Sequence, residues 1–186
     1  TVYGLAGNAY DRKSVRKIYK LKKRPGKNPL IIHYYNLNRL THDVELNDSF
    51  YKLYKAFSPG PITFVLNKKK GSKISNLATA NLKTVAVRIP KNKIIRKILK
   101  NLDFPLAIPS ANKSTKVSPV SAEDVFSEFG KSIKIILKGR RSNIGIESTV
   151  VDLTTKIKVL RPGFISKKDI SRISFESIIS RHSSIT

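Results

Sequence analysis

Cysteine, methionine and tryptophan are absent from the 186 residues, and acids are scarce: 12 Asp and Glu stand against 37 Lys and Arg. Without cysteine, disulfides, thiolate metal sites and thiol nucleophiles are all excluded. The three histidines, His33, His42 and His182, lie far apart in sequence, which argues against a zinc cage. The longest apolar stretches, Pro29 to Tyr35 and Pro105 to Pro109, fall far short of the roughly 20 residues a membrane helix needs. The basic stretch Arg12 to Lys17 is not followed by an apolar core and a small-residue cleavage site, so it does not read as a signal peptide. A reducing cytoplasm, with no membrane partner, is the expected setting.

What is present is charge and a core. The net charge is +25, yet 40% of residues are hydrophobic and eight Phe and seven Tyr are spread along the chain. The cations are mixed with Ile, Val and Leu, which marks a basic folded domain and not a disordered tail. The length suits one domain of roughly 100 to 200 residues. The opening Thr1-Val2-Tyr3-Gly4-Leu5, without Met, reads as the tail of a strand whose beginning is absent.

Asp11 is placed to cap a helix with Val15, Ile18 and Tyr19 at helical spacing, ending before Pro25-Gly26. Asp48 is the expected cap of a second, in which Phe50, Leu53, Tyr54 and Phe57 share a face. Asn92 caps a third presenting Ile94, Ile95, Ile98 and Leu99, and Ser121 opens a fourth with Val125, Phe126 and Phe129 inward, closed by Gly130. Strands are expected at Leu30–Tyr35, Ile62–Leu66, Thr84–Ile89, Leu106–Ile108, Ile133–Leu137, Ser148–Leu153 and Ile157–Leu160. Alternation of the two element types predicts an α/β or α+β fold, a sheet with helices packed on it.

Several segments could carry chemistry. Lys22-Lys23-Arg24-Pro25-Gly26-Lys27-Asn28-Pro29 gathers four cations around a rigid turn, suited to phosphate oxygens and equally to a solvated basic loop. Arg88 interrupts an apolar strand just before its end, on the same face as Thr84 and Ala86, so it must be paired or face a cleft. With acids so few, the cleft is favoured over a structural ion pair. Pro109-Ser110-Ala111-Asn112, followed by Ser114 and Ser118, places hydroxyls and amides at a strand end, where they suit a ligand or an ordinary turn. Glu147 and Ser148 stand at another strand's start, and Arg161 is an isolated cation before Pro162-Gly163. Neither a phosphate-binding Walker loop nor a nucleophile elbow is present.

In order, Thr1-Val2-Tyr3-Gly4-Leu5, Lys22-x-Arg24-Pro25-x-x-Asn28-Pro29, Ser58-Pro59-Gly60-Pro61-Ile62-Thr63, Val87-Arg88-Ile89-Pro90, Pro109-Ser110-Ala111-Asn112, Ile146-Glu147-Ser148-Thr149-Val150-Val151-Asp152 and Leu160-Arg161-Pro162-Gly163 resemble the YrdC family of threonylcarbamoyl-AMP synthases. The resemblance runs from residue 1 to about 164, leaving 165–186 as an extension or the start of a linker. It implies a YrdC-like twisted mixed sheet flanked by helices around a deep basic cleft. It implies condensation of L-threonine, bicarbonate and ATP to threonylcarbamoyl-AMP plus pyrophosphate, a product used for threonylcarbamoyladenosine in tRNA by a downstream transfer complex. On this resemblance Thr1, His33, Arg88 and Ser148 hold threonine, with Arg88 on its carboxylate. Lys22, Arg24, Asn28, Thr84, Ser110, Asn112, Ser118 and Arg161 surround ATP. No protein nucleophile and no protein metal ligand are expected, with magnesium held mainly by the ATP phosphates. Lys23 stands where the family commonly has a small residue. The motif forms are similar to the longer branch, which adds a linker and second domain, and the family's strand ending Pro-Thr-Asp/Glu before Thr1 is missing.

Two other classes compete. An RNA-binding module for tRNA or double-stranded RNA is suggested by the +25 charge, by Lys68-Lys69-Lys70 and by Arg140-Arg141. A carbamoyl transferase module of the hydrogenase-maturation kind is disfavoured by the lack of accessory zinc-finger cysteines. Convergence of Lys22, Arg24, Arg88 and Arg161 on one concave site would favour small-molecule chemistry; a broad convex basic stripe would favour RNA.

Overall fold

A computed structural model describes residues 1–173. His182 and the rest of the expected extension beyond 173 lie outside the described residues. In chain order the elements are β1 (Gly7–Asn8), α1 (Arg12–Lys22), β2 (Ile31–His33), α2 (Leu37–Leu40), α3 (Asp48–Phe57), β3 (Ile62–Asn67), β4 (Thr84–Arg88), α4 (Lys93–Asn101), β5 (Leu106–Ala107), α5 (Ala122–Phe129), β6 (Thr149–Asp152) and β7 (Lys158–Arg161). A 3-10 turn, Gly130–Ser132, follows α5. Helical turns over 167–173 begin after Ser166, whose Oγ accepts from the Asp169 N–H at 3.1 Å.

The seven strands form one mixed sheet, ordered β1-β5-β2-β4-β3-β6-β7. β2 and β4 are parallel, as are β3 and β6; the remaining pairs are antiparallel. This is the mixed α/β sheet flanked by helices that the sequence predicts. One face is the core: Ile32, Val85, Val87, Ile62, Phe64, Leu66 and Val151 are buried there with Phe50 and Leu53 of α3. The Phe50 ring meets Phe64 edge-on, centroids 5.1 Å apart. On the other face β4 shows Thr84, Ala86 and Arg88, all half-buried, as its period of two requires.

Local chemistry sets the helix ends. Asp11 accepts from the N–H groups of Lys13 and Ser14, and Asn92 from those of Ile94 and Ile95. Ser121 and Asp124 form a reciprocal capping box on α5. Several expectations need correction. Asn47, not Asp48, caps α3, accepting from the Phe50 N–H at 2.9 Å; Asp48 is the first helical residue. Phe126 points outward, 62% exposed, and Ile94 is partly exposed at 42%. Residues 133–137 form no strand and pair with none of the seven, because the chain leaving α5 packs beside that helix and not along a sheet edge. Ile133 and Ile136 instead pack on a small cluster of Ala111, Val125 and Phe129. The short elements β1 and α2 carry too few residues for a readable period.

Candidate substrate site

Strand register assembles the site. His33 pairs with Arg88, and Val150 pairs with both Thr63 and Arg161, so these residues lie on one sheet face at one end. Ser148 sits just before β6, where its Oγ and the Thr63 Oγ1 share a 2.7 Å hydrogen bond. Arg88 donates from Nε to the Gly60 carbonyl at 3.0 Å and from Nη2 to Thr1 Oγ1 at 3.2 Å. Gly60 is required there, since a Cβ would stand 2.1 Å from the Phe57 carbonyl oxygen. Thr1, His33, Arg88 and Ser148 thus share one end of the sheet.

His33 is buried, and its Nδ1 lies 3.1 Å from the Ile31 carbonyl. A carbonyl only accepts, so Nδ1 carries the proton and Nε2 is left as the acceptor. Burial, reinforced by the Arg88 cation, pushes the His33 pKa down to about 3. The imidazole is therefore neutral. Burial also lowers Arg88, to about 10, with the Arg161 guanidinium adding repulsion and Glu147 opposing it.

A second group converges from α1, the turn after it and the loop after β5. Lys22, the last residue of α1, is fully buried and donates from Nζ to the carbonyls of Ser110 (2.6 Å) and Asn112 (2.5 Å). Its pKa falls to about 8, first by burial and then by Arg24, against the pull of Glu147 and Glu128. Lys23 caps α1 in the left-handed region at φ 50°, a conformation that disfavours a side chain; this is the position where the family commonly has a small residue. Arg24 donates to the carbonyls of Asn28 and Pro29, both at 3.1 Å, which fixes the turn. Asn28 enters these contacts through its carbonyl. The Asn112 amide donates to the carbonyls of Lys113 and Lys116, so this side chain staples its own loop.

Glu147 joins the two groups. One carboxylate oxygen accepts from Arg161 Nη1 and the other from Ser118 Oγ at 3.3 Å, and the nearby Ser110 hydroxyl helps to hold the charge. Burial pushes its pKa up, but Arg161, Ser110, Ser118 and Lys22 outweigh burial and hold it below the ordinary value. Arg24 and Arg88 both feel its charge. Arg161 is therefore not the isolated cation its sequence context suggests: it also donates to the Ser148 carbonyl and Oγ. Among the described residues no carboxylate lies within ion-pair distance of Lys22, Arg24 or Arg88. Thr84 is the outlier, about 13 Å from Arg88 along β4 at 3.3 Å per residue, and paired with Asn67. Neither Glu147 nor Thr63 is singled out by sequence motif alone; the signal for Glu147 is an acid beside Ser-Thr at a strand start in an acid-poor chain.

A separate cavity of about 280 Å³ is lined by Tyr10, Tyr34, Tyr35, Arg39, His42 and Asp103, among others. Three of its polar side chains are engaged within the protein: Tyr10 and Tyr34 donate to Asp43, and Arg39 donates to the carbonyls of Leu99, Leu102 and Lys100. The cationic cluster, in contrast, holds more positive charge than its one carboxylate can balance.

Fold and cluster together define an α/β domain with a cationic cluster at one end of its sheet. The family model Sua5_yciO_yrdC, described as "Telomere recombination", matches residues 1–163, and the chain belongs to this Sua5/YciO/YrdC family. It is 42% identical over 175 residues to the threonylcarbamoyl-AMP synthase of Pyrococcus abyssi, covering 93% of this chain and 51% of that protein. The Bacillus subtilis threonylcarbamoyl-AMP synthase is 39% identical over 176 residues, with 93% and 50% covered. The crystal structure of P. abyssi Sua5 complexed with L-threonine superposes with a TM-score of 0.89 at 40% identity, covering 93% of this chain and 51% of that one. The chain thus spans about half the length of these relatives.

Proposed function

We propose that the chain is the synthase domain of a threonylcarbamoyl-AMP synthase. The observation that carries this reading is the convergence of Lys22, Arg24, Arg88 and Arg161 around Glu147 at one end of the sheet. Arg88 binds the threonine carboxylate, and the neutral His33 Nε2, Thr1 and Ser148 meet its amine and hydroxyl. Lys22, Arg24, Asn28, Ser110, Asn112, Ser118 and Arg161 take ATP, with Thr84 as an outlying contact. The threonine nitrogen adds to bicarbonate with loss of water, forming a carbamate. A carbamate oxygen attacks the α-phosphorus, and the bond to pyrophosphate breaks. Negative charge accumulates on several oxygens at once, and fixed cations stabilise it without a protein nucleophile.

Magnesium would be held mainly by the triphosphate oxygens, where it would offset the charge that builds on the phosphates. The product serves tRNA modification through a downstream transferase. The cysteine-free sequence suits a cytoplasmic setting, and no helix among the described residues is long and apolar enough to cross a membrane. A second reading, contact with tRNA or double-stranded RNA, is favoured by the exposed cations Lys13, Arg16, Lys17, Lys20 and Lys23 of α1 and its cap.

The test is mass-spectrometric detection of the adduct formed from ATP, bicarbonate and isotopically labelled L-threonine. Labelled threonylcarbamoyl-AMP is the expected product. No adduct, or one formed only when carbamoyl phosphate replaces bicarbonate, would overturn the assignment.

A further inference from the structure

Glu147 is chemically out of place at the centre of a site for anions. A carboxylate and a phosphate oxygen make the same demand on their surroundings, a charge-assisted hydrogen bond. Arg161 has most of its N–H donors engaged: Nε and Nη2 on Ser148, Nη1 on Glu147. Ser118 donates to the same carboxylate at 3.3 Å, and the Ser110 hydroxyl lies close enough to favour its charge. A phosphate approaching Arg161, Ser110 and Ser118 meets donors already taken and a like charge beside them. The Glu147 and Arg161 side chains remain 31% and 36% exposed, so the carboxylate can leave into water without being stranded unpaired in the interior.

We propose that Glu147 is an internal counter-anion: it holds Arg161, Ser110 and Ser118 together in the empty site and is exchanged for a polyphosphate oxygen when ligand binds. The inference rests on the reading of this cluster as a phosphate site. It gives Glu147 a role opposite in sign to that of a positioning residue. A positioning carboxylate would stay on Arg161 in the complex, and its removal would weaken binding. An exchanged carboxylate competes, and its removal strengthens binding.

The experiment is calorimetric titration of inorganic pyrophosphate, without magnesium, into the intact protein and its Glu147→Gln and Glu147→Ala variants. About tenfold tighter binding in both variants is expected, equivalent to about 1.4 kcal/mol. Unchanged or weaker binding in either overturns the proposal. A second readout needs no variant: the side-chain carboxyl carbon resonance of Glu147, isotopically labelled in the unmodified protein, shifts at saturating pyrophosphate. A resonance that stays in place overturns the exchange. Threonine enters neither readout. A protein that exchanges Glu147 but forms no threonylcarbamoyl-AMP refutes the proposed activity alone; adduct formation with Glu147 unmoved refutes only the exchange.

Discussion

Arg88 and Arg24 carry the same charge and sit in different surroundings, and that difference predicts different losses. Arg88 lies beside His33 and Thr1 at the strand ends, whereas Arg24 is held by the turn carbonyls of Asn28 and Pro29. Arg88→Ala is expected to raise the threonine requirement at least tenfold with ATP binding largely kept, and Arg24→Ala to do the reverse. Paired calorimetric titrations check this, and equal losses of both ligands in both variants would contradict it. Lys22 adds a pH dependence. Its pKa lies near 8, so its charge is present below that value and fades as pH rises through it. Pyrophosphate affinity should therefore fall as pH rises through about 8, and Lys22→Gln should remove that slope in the same titration. His33 acts on stability. With the folded pKa depressed to about 3 from 6.5, the unfolded chain binds more protons between those values, so stability declines as pH falls below about 6.5. Thermal melts of the protein and His33→Gln across that window should show a shallower decline in the variant.

The strands fix how these side chains meet. Gly163 follows β7 so closely against the start of β6 that a Cβ would stand 2.4 Å from the Thr149 nitrogen and 2.7 Å from the Glu147 carbonyl oxygen. Backbone atoms cannot give way as a flexible side chain can, so Gly163→Ala should part Arg161 from Glu147 and Ser148. Loss of pyrophosphate binding larger than that of Arg161→Ala is the expected outcome. Most of these elements were legible in the sequence because they carry strong local signals: the Asp11 cap, the buried face of α3, the period of two in β4. The type and place of β3, β4 and β6 follow from apolar runs bounded by Pro, Gly or charge, with ends that differ by a residue from the expected ones. Residues 133–137 imitate a strand because Ile133, Ile135, Ile136 and Leu137 make a short β-prone apolar run, while pairing depends on tertiary placement beside another strand, which local pattern does not encode. The site was legible as residue types at strand ends. Its centre was not, since the Glu147 contacts to Ser110, Ser118 and Arg161 arise from register and loop packing.

The molecule as a whole combines a compact cationic site with a dispersed basic surface, and the two should separate experimentally. Charge reversal at Lys13, Arg16 and Lys20, exposed on α1, should weaken association with double-stranded RNA and flatten its dependence on salt. Catalysis should persist in that variant. RNA affinity unmoved by these changes would remove α1 as the contact surface. The proposed activity requires one end of the sheet to bring threonine and ATP together. Its most direct test is pyrophosphate release from ATP in the presence of bicarbonate, measured with and without L-threonine, on this chain and on a longer one extended at both ends. Release that requires threonine and is lost in Arg88→Ala is the predicted result. Release absent from both chains, or indifferent to threonine, would contradict it.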